Sequence, residues 1–387
     1  IMIMADNNEN KVLNVPHLRF PEFSGEWKKH SLGEIGETII GLTYKPSDVV
    51  DNNGIIVFRS SNIKNGMIDY SDLVRVNKHI KDKIITKEND ILVCARNGSQ
   101  RLIGKNAIIK QEDANNTFGA FMMVYRANDN PFILPLLSTK KYFSQVGENL
   151  GARINQITTS DFNGFEFYFP ENHAERTKIA ELFRLLDERI ATQNKIIEDL
   201  KKLKSAITDL LFHSIADAHT IRLGEIAHIT NGAGDVQDAN TEHQEDWYPF
   251  FDRSEELKWF PTYSFDKEAV IYAGEGQSFY PRYYNGKFAL HQRCYAITDF
   301  ASCIIPKYCY HFMNTLNSYF VRNSVGSTVP SLRMDIFQKV EIRLPPIPKQ
   351  QHICKIIDAF YTKLEVEQRG ISILQELKQF LLSQMFI

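Results

Sequence analysis

The sequence predicts an α+β protein in which two mixed α/β globular domains are separated by two long helices that pair as an antiparallel coiled coil. The main observation is that the run 170–213 has a second copy, 345–387, at an offset of 174 positions, which places Ile179 on Ile353. In both copies the apolar residues recur at spacings of 3, 4 and 7, the period of a helix with one buried face. Two matched helices in one chain most simply bury these faces against each other, which gives an internal pseudo-two-fold repeat.

The repeat continues outside the helices. Residues 32–35 (LGEI) recur as residues 223–226, and residues 165–170 recur in pattern as residues 340–345. The edges of the two globular domains therefore match, whereas their middles barely match. A shared framework with divergent loops is typical of two recognition modules with different targets. Two copies of an old duplication that drifted apart remain the alternative.

These signals divide the chain into a flexible leader (1–14), a first domain (15–170), a first long helix (171–216), a second domain (217–345) and a second long helix (346–387). Apolar and β-branched runs between Gly, Asn and Asp clusters predict strands at 55–59, 90–95, 105–109, 118–125, 247–251, 269–272, 287–290 and 294–297. A helical segment follows each set, at 132–146 and at 306–323.

Composition indicates a soluble globular protein. Of the 387 residues, 43% are hydrophobic and 24% are charged, and no apolar run approaches the roughly 18 residues of a membrane helix. The leader is too short and too acidic for a signal peptide. The five cysteines are scattered and contain no CxxC, which predicts reduced thiols and a cytoplasmic location. The spacing of Cys303, Cys309 and His311 fits no common metal site, so no metal is predicted.

The repeat also predicts a register for the two long helices. Heptads are assigned with Ile179, Leu186, Gln193, Leu200 and Ile207 at position a, and Leu182, Arg189, Ile196, Leu203 and Leu210 at position d. If the numbers of facing residues sum to 556, Arg189 faces Glu367, Gln193 faces Lys363, and Gly370 faces Leu186. Polar residues then meet polar residues, and the alternative shifted by one heptad leaves charges against apolar partners.

Some apolar residues lie at or beyond the edge of the helical stripe. They are Phe183, Phe212, Phe380 and Phe386. Apolar side chains outside an intramolecular seam suggest a surface for a partner protein. We therefore expect a partner to pack on the helices.

Several stretches of the sequence resemble the specificity subunits of Type I restriction–modification systems, and the resemblance covers nearly the whole chain. The stretches are NVPHLRFPEFSGEWKKHSLGEI (14–35), AERTKIAELFRLLDERI (174–190), YPFFDRSEELKWF (248–260), FALHQRCYAI (288–297) and QQHICKIIDAF (350–360). Their order and duplication make the match specific. One departure is that the Glu-Gln that usually opens each conserved helix is Glu175-Arg176 in the first and Lys349-Gln350 in the second.

The resemblance implies a subunit that recognises double-stranded DNA and has no catalytic activity of its own. Such subunits hold two target-recognition domains on antiparallel helices, and each domain reads half of a split sequence. Two adenine methyltransferase subunits and two ATP-driven restriction/translocase subunits are the implied partners. S-adenosylmethionine, ATP and Mg²⁺ are expected on those partners, with no cofactor bound by this chain and no membrane involved.

The residues agree with a protein that is not an enzyme. The (Asn/Asp)-Pro-Pro-aromatic loop of amino-methyltransferases is missing from the sequence, and so is the phosphate-binding GxxxxGK[ST]. The glycines at 232 and 234 lack the third glycine and the following helix of a dinucleotide loop. Asp252 near Glu256 and Lys258 echoes a metal-dependent nuclease site, but a solvated loop is the favoured interpretation.

Within this resemblance, the DNA-contacting residues are expected on loops that carry arginines, amides and hydroxyls. In the first domain the leading loop follows an apolar strand, and two further loops have similar chemistry. The candidates are Arg96, Asn97, Ser99, Gln100 and Arg101, then Arg59 and Asn62, then Arg153, Asn155 and Gln156. For each single residue a solvated hairpin tip remains the alternative.

In the second domain the candidates fall in three groups. They are Gln277, Ser278, Tyr280 and Arg282 after a strand, His291, Gln292 and Arg293 as a donor cluster, and Thr328, Ser331 and Arg333 as phosphate contacts. Tyrosines that pack a small core, and a histidine satisfied inside a sheet, are the alternatives.

Other functions remain open. The globular domains could bind protein instead of DNA, in which case the chain is a scaffold. A standalone enzyme is a further alternative, against which the missing motifs argue. Within the DNA class, the subunit could serve a related enzyme with fused restriction and methylation.

Overall fold

The computed structural model describes residues 3–4, 14–152, 155–213, 217–326 and 328–387. The chain forms two compact units. The first unit comprises Ile1–Asn194 and Gly370–Ile387, and the second comprises Lys195–Arg369. Each unit contains one globular domain together with part of both long helices. Most of the predicted leader and the end of the predicted first long helix lie outside the described residues.

The described helices within the domains have 4 to 13 residues, and a much longer helix follows each domain. In chain order they are α1 Leu32–Ile35, α2 Asn130–Leu136, α3 Lys140–Ala152, α4 Thr159–Asn163, α5 His173–His213, α6 Leu223–Ile226, α7 Pro306–Met313, α8 Asn317–Asn323, α9 Met334–Gln338 and α10 Ile347–Met385. Short 3₁₀ turns lie at Pro46–Asp48, Ser60–Asn62, Asp82–Ile84, Gln100–Leu102, Gln111–Asp113 and Val236–Asp238. Among the described helices, none combines the length and apolar composition needed to cross a bilayer.

The strands of the first unit are β1 Ile3–Met4, β2 Leu18–Arg19, β3 Lys28–Ser31, β4 Glu37–Ile40, β5 Val49–Val50, β6 Ile55–Phe58, β7 Ile63–Lys64, β8 Met67–Ile68, β9 Arg75–Val76, β10 Ile91–Cys94, β11 Asn106–Ile108, β12 Thr117–Phe118, β13 Met122–Arg126 and β14 Glu166–Phe169. Those of the second unit are β15 His219–Arg222, β16 His228–Asn231, β17 Tyr248–Phe251, β18 Lys258–Phe260, β19 Phe265–Ala273, β20 Arg282–Leu290, β21 Cys294–Thr298 and β22 Glu341–Leu344.

The two domains share a sheet topology. In the first, the order β11-β10-β13-β4 is antiparallel throughout, and β6 pairs with β12 in parallel. In the second, β20-β19-β21-β16 repeats the antiparallel order, and β17 pairs with β20 in parallel. The long strand β20 therefore takes the places of both β11 and β12. This arrangement confirms the mixed α/β domains and the internal repeat.

Most predicted elements contain a helix or strand, but three predicted runs are interrupted. The strand predicted at 118–125 ends at Phe118 and resumes at Met122, whose N–H donates to the carbonyl of Gly119 (2.8 Å) and so closes a turn. Apolar composition alone concealed this turn. The helix predicted at 132–146 breaks after α2, where the hydroxyl of Thr139 accepts from the N–H of Tyr142 and starts the next helix. The helix predicted at 306–323 also divides, into α7 and α8.

The two long helices run antiparallel, as predicted. In the first unit the start of α5 lies beside the end of α10, where Lys378 Nζ is 2.5 Å from Asp187 Oδ1. In the second unit the end of α5 lies beside the start of α10, where Lys204 Nζ is 4.1 Å from the centroid of the Tyr361 ring.

The predicted register is wrong by about one heptad. A Cβ at Gly370 would lie 3.8 Å from the side chain of Gln193, not beside Leu186. The three observed pairs have residue numbers that sum to 563–565, against the predicted 556. Lys363 forms an ion pair with Glu367 on its own helix, and Arg189 is exposed.

The error came from the assignment of position d. The a positions are right, but the second row of buried residues lies four residues after each a, not three. Phe183 and Ile197 are buried, whereas the predicted d residues Leu203 and Leu210 are exposed. Because Arg189 is outside the seam, its pairing with Glu367 gave no valid constraint on the register.

The corrected position of the second buried row also changes the predicted partner surface. Phe183 and Phe386 are buried in the core of the first unit, and Phe212 is buried in that of the second. Of the four phenylalanines, only Phe380 is exposed, with 50% of its surface accessible.

Each domain is joined to the long helix that follows it by a two-stranded sheet. β3 pairs with β14 in the first domain, and β15 pairs with β22 in the second, both antiparallel. The N–H of Leu32 donates to Phe165 O (2.9 Å), and the N–H of Leu223 donates to Val340 O (2.8 Å). The LGEI motif that recurs in the sequence thus marks a main-chain hydrogen bond that recurs in the structure.

Candidate functional site

A cleft of about 880 Å³ lies in the first domain, and residues from all three predicted loops line it. Arg59, Arg96, Asn97 and Asn155 lie on its walls. These residues come from separate parts of the sequence, and only the fold brings them together. Arg153 lies outside the described residues.

Main-chain hydrogen bonds hold the loops of this cleft together. The N–H groups of Ala95 and Arg96 both donate to the carbonyl of Phe121 (3.0 Å each). The N–H of Asn97 donates to Asn155 O (3.3 Å), and the N–H of Ile157 donates to Ala95 O (2.9 Å). The loop 95–101 is therefore fixed on two sides, and its exposed side chains start from a defined backbone.

The amides of this site hold the loops together. Asn97 donates to Ser60 Oγ (2.9 Å) and accepts from the N–H of Ser99 (3.0 Å). The amide of Asn155 donates to Gly98 O (3.2 Å). Asn62 is fully buried and donates to the carbonyls of two aspartates, so it stabilises its own loop and is not a surface donor as the sequence suggested.

Arg96 is the best-placed exposed donor of the cleft. Its guanidinium carbon lies 5.1 Å from the centroid of the ring of Phe121, a residue that is 60% exposed. Ser99, Gln100 and Arg101 are also exposed, on the turn that follows.

Arg59 and the unpredicted Phe121 also line the cleft, whereas the candidate Gln156 does not. Arg59 forms an ion pair with Asp72 (2.8 Å). Gln156 is half-buried and lies opposite Arg96 in a backbone bridge. Sequence reasoning missed Phe121, because apolar residues continue through the turn that exposes it.

Three loops also converge in the second domain. The N–H of Gly274 donates to Arg293 O (3.0 Å), and the N–H of Gly276 donates to Pro330 O (3.0 Å). The N–H of Leu332 donates to Gly274 O (2.7 Å). The three predicted groups of candidates thus meet at the end of β19.

The exposed side chains of this second loop cluster are mainly polar. They are Gln277, Ser278, Tyr280, Gln292, Arg293, Thr328 and Arg333, with Ser331 half-buried. Arg293 forms an ion pair with Glu275 (2.8 Å), a residue that the sequence reasoning did not select.

Two candidates of the second domain are engaged inside the fold. Arg282 donates to the carbonyl of Ser254, and its guanidinium carbon lies 5.9 Å from the Phe251 ring centroid. His291 accepts from the N–H of Arg293 through Nδ1 (3.2 Å). Both side chains therefore stabilise the loops. The sequence pattern could not distinguish this role from a role at the surface.

Asp252 forms a buried ion pair. Its carboxylate lies 2.6 Å from Lys258 Nζ and accepts from the N–H and hydroxyl of Ser254 (2.8 Å each). Burial raises the pKa of Asp252, but these hydrogen bonds outweigh burial, so the net pKa is below its usual value. In the described part of the chain, no cluster of three His, Cys, Asp or Glu side chains is placed to hold a metal ion.

A protein-family model matches the chain twice. The model describes the Type I restriction modification DNA specificity domain, and its two matches cover residues 24–202 and 216–379. The two matches agree with the two copies of the repeat.

Curated relatives align with part of the chain. The specificity subunit of the Type I restriction enzyme EcoDI from Escherichia coli is 31% identical over 165 residues, which are 42% of this chain and 36% of that one. The EcoKI specificity subunit from Escherichia coli strain K12 is 28% identical over 193 residues, 47% of this chain and 41% of that one. The chain thus spans about two fifths of the length of the curated relatives it matches.

Solved structures share the fold along most of the chain. The S subunit of the Type I restriction-modification system from M. genitalium has a TM-score of 0.64 at 18% identity, covering 96% of this chain and 99% of that chain. A chain from a structure of type I R-M complex assembly has a TM-score of 0.54 at 16% identity, covering 93% and 97%.

Proposed function

The chain belongs to the Type I restriction–modification DNA specificity family, and we propose that it is the DNA-binding subunit of such a complex. Each globular domain binds one half of a split double-stranded sequence. The chain itself is non-catalytic, binds no cofactor and acts in the cytoplasm.

One observation carries this proposal. In each domain three loops that are far apart in sequence are joined by main-chain hydrogen bonds into one exposed cluster of polar side chains. Base edges in the major groove are recognised by side-chain donors and acceptors that start from a fixed backbone. A rigid loop cluster with exposed arginine, glutamine and serine fits this requirement.

The roles divide between bases and phosphates. Arg96 is assigned to a base edge, because a guanidinium donates to guanine O6 and N7 in a fork. Ser99 and Arg101 in the first domain, and Thr328 and Arg333 in the second, are assigned to phosphates, which hydroxyls and cations commonly bind.

The long helices supply surfaces for partner subunits. In the first unit the exposed apolar residues of the helices are Leu185, Ile373, Leu377 and Phe380. In the second unit they are Ile196, Leu203, Leu210 and Val366. Apolar side chains outside the seam are suited to packing against another protein. We assign them to two methyltransferase subunits, with two restriction/translocase subunits joining for cleavage; S-adenosylmethionine, ATP and Mg²⁺ belong to these partners.

The first test is binding of the full chain, together with the methyltransferase subunits of its host, to a pool of randomised duplexes. Enrichment of a split sequence is the expected result. A scaffold function predicts no sequence-selective binding, and enrichment of one continuous sequence would contradict reading in two halves.

Single substitutions test the first domain. Arg96→Ala and Arg101→Ala should each weaken binding to the enriched duplex, by about 1–3 kcal/mol where a base contact is lost. A phosphate contact instead predicts a uniform loss across sequences and a shallower salt dependence. Arg184→Ala removes the same charge from an exposed helix position that pairs with Glu181 and Glu188, and serves as the control. Unchanged affinity for both loop variants would remove this loop from the interface.

Exchange of residues 220–340 tests the independence of the domains. If they read separately, replacing these loops with those of another specificity subunit should change only one half of the methylated sequence. A change of both halves would contradict this division.

A further inference from the structure

The hydrogen bonds around the loops define which residues of the two domains correspond. Ala95 and Gly274 correspond, because their carbonyls accept from Ile157 and Leu332 and their N–H groups donate to Phe121 and Arg293, respectively. The strand pairing agrees, since Cys94 lies opposite Met122, and Ala273 lies opposite Cys294.

Two surface positions next to this point therefore also correspond. Arg96 in the first domain matches Glu275 in the second, and Phe121 matches Arg293. In the first domain these positions form a cation–π contact of 5.1 Å between the guanidinium carbon and the ring centroid. In the second they form an ion pair of 2.8 Å. We call each of these two contacts the loop pair.

The two loop pairs have opposite polarity. The cation is on the β10 loop in the first domain and on the β20–β21 turn in the second, where an anion takes the position of Arg96. Folding does not require either pair, because exposed ion pairs and exposed cation–π contacts contribute little to stability. Phe121 is 60% exposed, and the side chain of Arg293 is 65% exposed. Both side chains are therefore accessible to a ligand.

We propose that the loop pair determines the base preference of each domain, and that its reversed polarity makes the two domains prefer different base pairs. This inference rests on the proposed function. In the first domain the Phe121 ring restrains Arg96, whose remaining N–H donors form the fork that fits guanine O6 and N7. In the second domain Glu275 orients Arg293 and adds an acceptor suited to the amino group of cytosine or adenine.

Transplanting the pairs tests this proposal. The variant R96E/F121R gives the first domain the loop pair of the second, and E275R/R293F does the reverse. Each variant is studied as the full chain with its methyltransferase subunits on randomised duplexes. Each should change the enriched sequence in one half only, with about a tenfold change in preference between the old and new half-sites. Enrichment of the wild-type sequence in both halves at wild-type affinity would overturn the proposal.

A control variant tests whether the effect depends on the position of the two substitutions or only on their chemistry. R184E/F143R makes the same two substitutions at exposed residues outside the cleft, and it should leave the enriched sequence unchanged. If this control alters the sequence as the transplants do, the effect is not specific to the loop pair and the inference fails.

The single substitution Arg96→Gln covers the case in which a transplant does not fold. It replaces the guanidinium, which fits guanine, by an amide, which fits adenine. It should reduce the preference for guanine at one base position by about tenfold, and an unchanged preference would overturn the inference. Failure of the proposed function is distinguishable, because the wild-type chain would then enrich no split sequence.

Discussion

The two domains keep one backbone arrangement, while side chains at corresponding loop positions differ in charge and chemistry. In both domains a turn joins two strands, β12 and β13 in the first domain and β20 and β21 in the second. The turn is closed by a hydrogen bond from Met122 N–H to Gly119 O (2.8 Å) in the first domain and from Cys294 N–H to His291 O (2.9 Å) in the second. Main-chain hydrogen bonds need no particular side chain, so the framework can persist while the loops change. The comparison explains how one fold can present two unlike surfaces.

A second pair of corresponding positions also has reversed charge. Phe58 O accepts from Gly119 N–H (2.9 Å), and Phe251 O accepts from His291 N–H (3.0 Å), so the next residues, Arg59 and Asp252, correspond. Arg59 pairs with Asp72 at the surface, whereas Asp252 pairs with Lys258 in the interior. The same position therefore contributes to a cleft wall in one domain and to the core in the other.

The shared framework should be most sensitive at its glycines. A Cβ at Gly41 would overlap the carbonyl oxygens of Phe118 and Gly119, and a Cβ at Gly232 would overlap that of Leu290. Because these neighbours are backbone atoms, they cannot yield as a side chain would. Gly41→Ala and Gly232→Ala should each destabilise their own domain by about 3 kcal/mol or more, measured by urea unfolding and localised by hydrogen exchange.

The matched control for the glycine variants is Gly98→Ala. A Cβ at Gly98 meets no atom within 4 Å, so this variant should unfold like wild type. If Gly41→Ala and Gly98→Ala were equally stable, close contact between Gly41 and the backbone at Gly119 would not be required by the shared framework.

The charge reversal at Arg59 and Asp252 predicts an asymmetric cost. Lys258→Ala leaves a carboxylate that is only 4% exposed without its cation, which should cost about 3 kcal/mol. Asp72→Ala breaks an exposed pair and should cost less than about 1 kcal/mol. Equal losses in thermal or urea unfolding would contradict the assignment of one pair to the core and the other to the surface.

The cost of Lys258→Ala should depend on pH. The folded-state pKa of Asp252 is lowered, so its contribution is full above the unfolded value of about 3.9 and is lost as the pH falls through the folded value. Without Lys258, burial should raise this pKa, and protonation would then relieve the buried charge. The difference between wild type and variant should therefore be largest near neutral pH and shrink in acid, whereas that of Asp72→Ala should stay small throughout.

The sequence predicted the repeat, both long helices and their antiparallel pairing, because these depend on apolar periodicity, which one chain displays twice. Each strand that it predicted contains a strand in the structure, but many short strands were not predicted. The turn at Gly119–Phe121 was also missed, since apolar residues continue through that turn. Sequence reasoning missed the helix register because the seam depends on whether the third or the fourth residue after each a position is buried. Both of these rows contain apolar residues, such as the adjacent Leu182 and Phe183, so the sequence did not decide between them.

The candidate site was predicted at the level of loops. The loops around Arg59, Arg96 and Asn155 do meet, but sequence chemistry cannot show which side chains serve the loops themselves. The sequence of a turn is the same whether its asparagine hydrogen-bonds the backbone of its own loop, as Asn62 and Asn97 do, or faces a ligand. Phe121 and Glu275 were missed because neither is a usual donor, and their relevance follows only from the correspondence of the two domains.

The helical seam gives the subtlest contrast between the halves. At the repeat offset, Lys204 corresponds to Lys378, and Tyr361 corresponds to Asp187. Each lysine reaches the opposite helix within its own unit, but one meets an aromatic ring and the other a carboxylate. Lys204→Met should change stability by less than about 0.5 kcal/mol, because a methionine fills the seam and its sulfur replaces the cation on the ring. Lys378→Met gains similar packing but leaves Asp187 without this cation, so it should lose up to about 1 kcal/mol, and less at high salt, which screens the ion pair. The variant D187Y makes the first unit like the second, and in that background the Lys378→Met loss should disappear in urea unfolding. A loss that persists with tyrosine at position 187 would mean that the lysine acts through its packing in the seam and not through its partner on the facing helix.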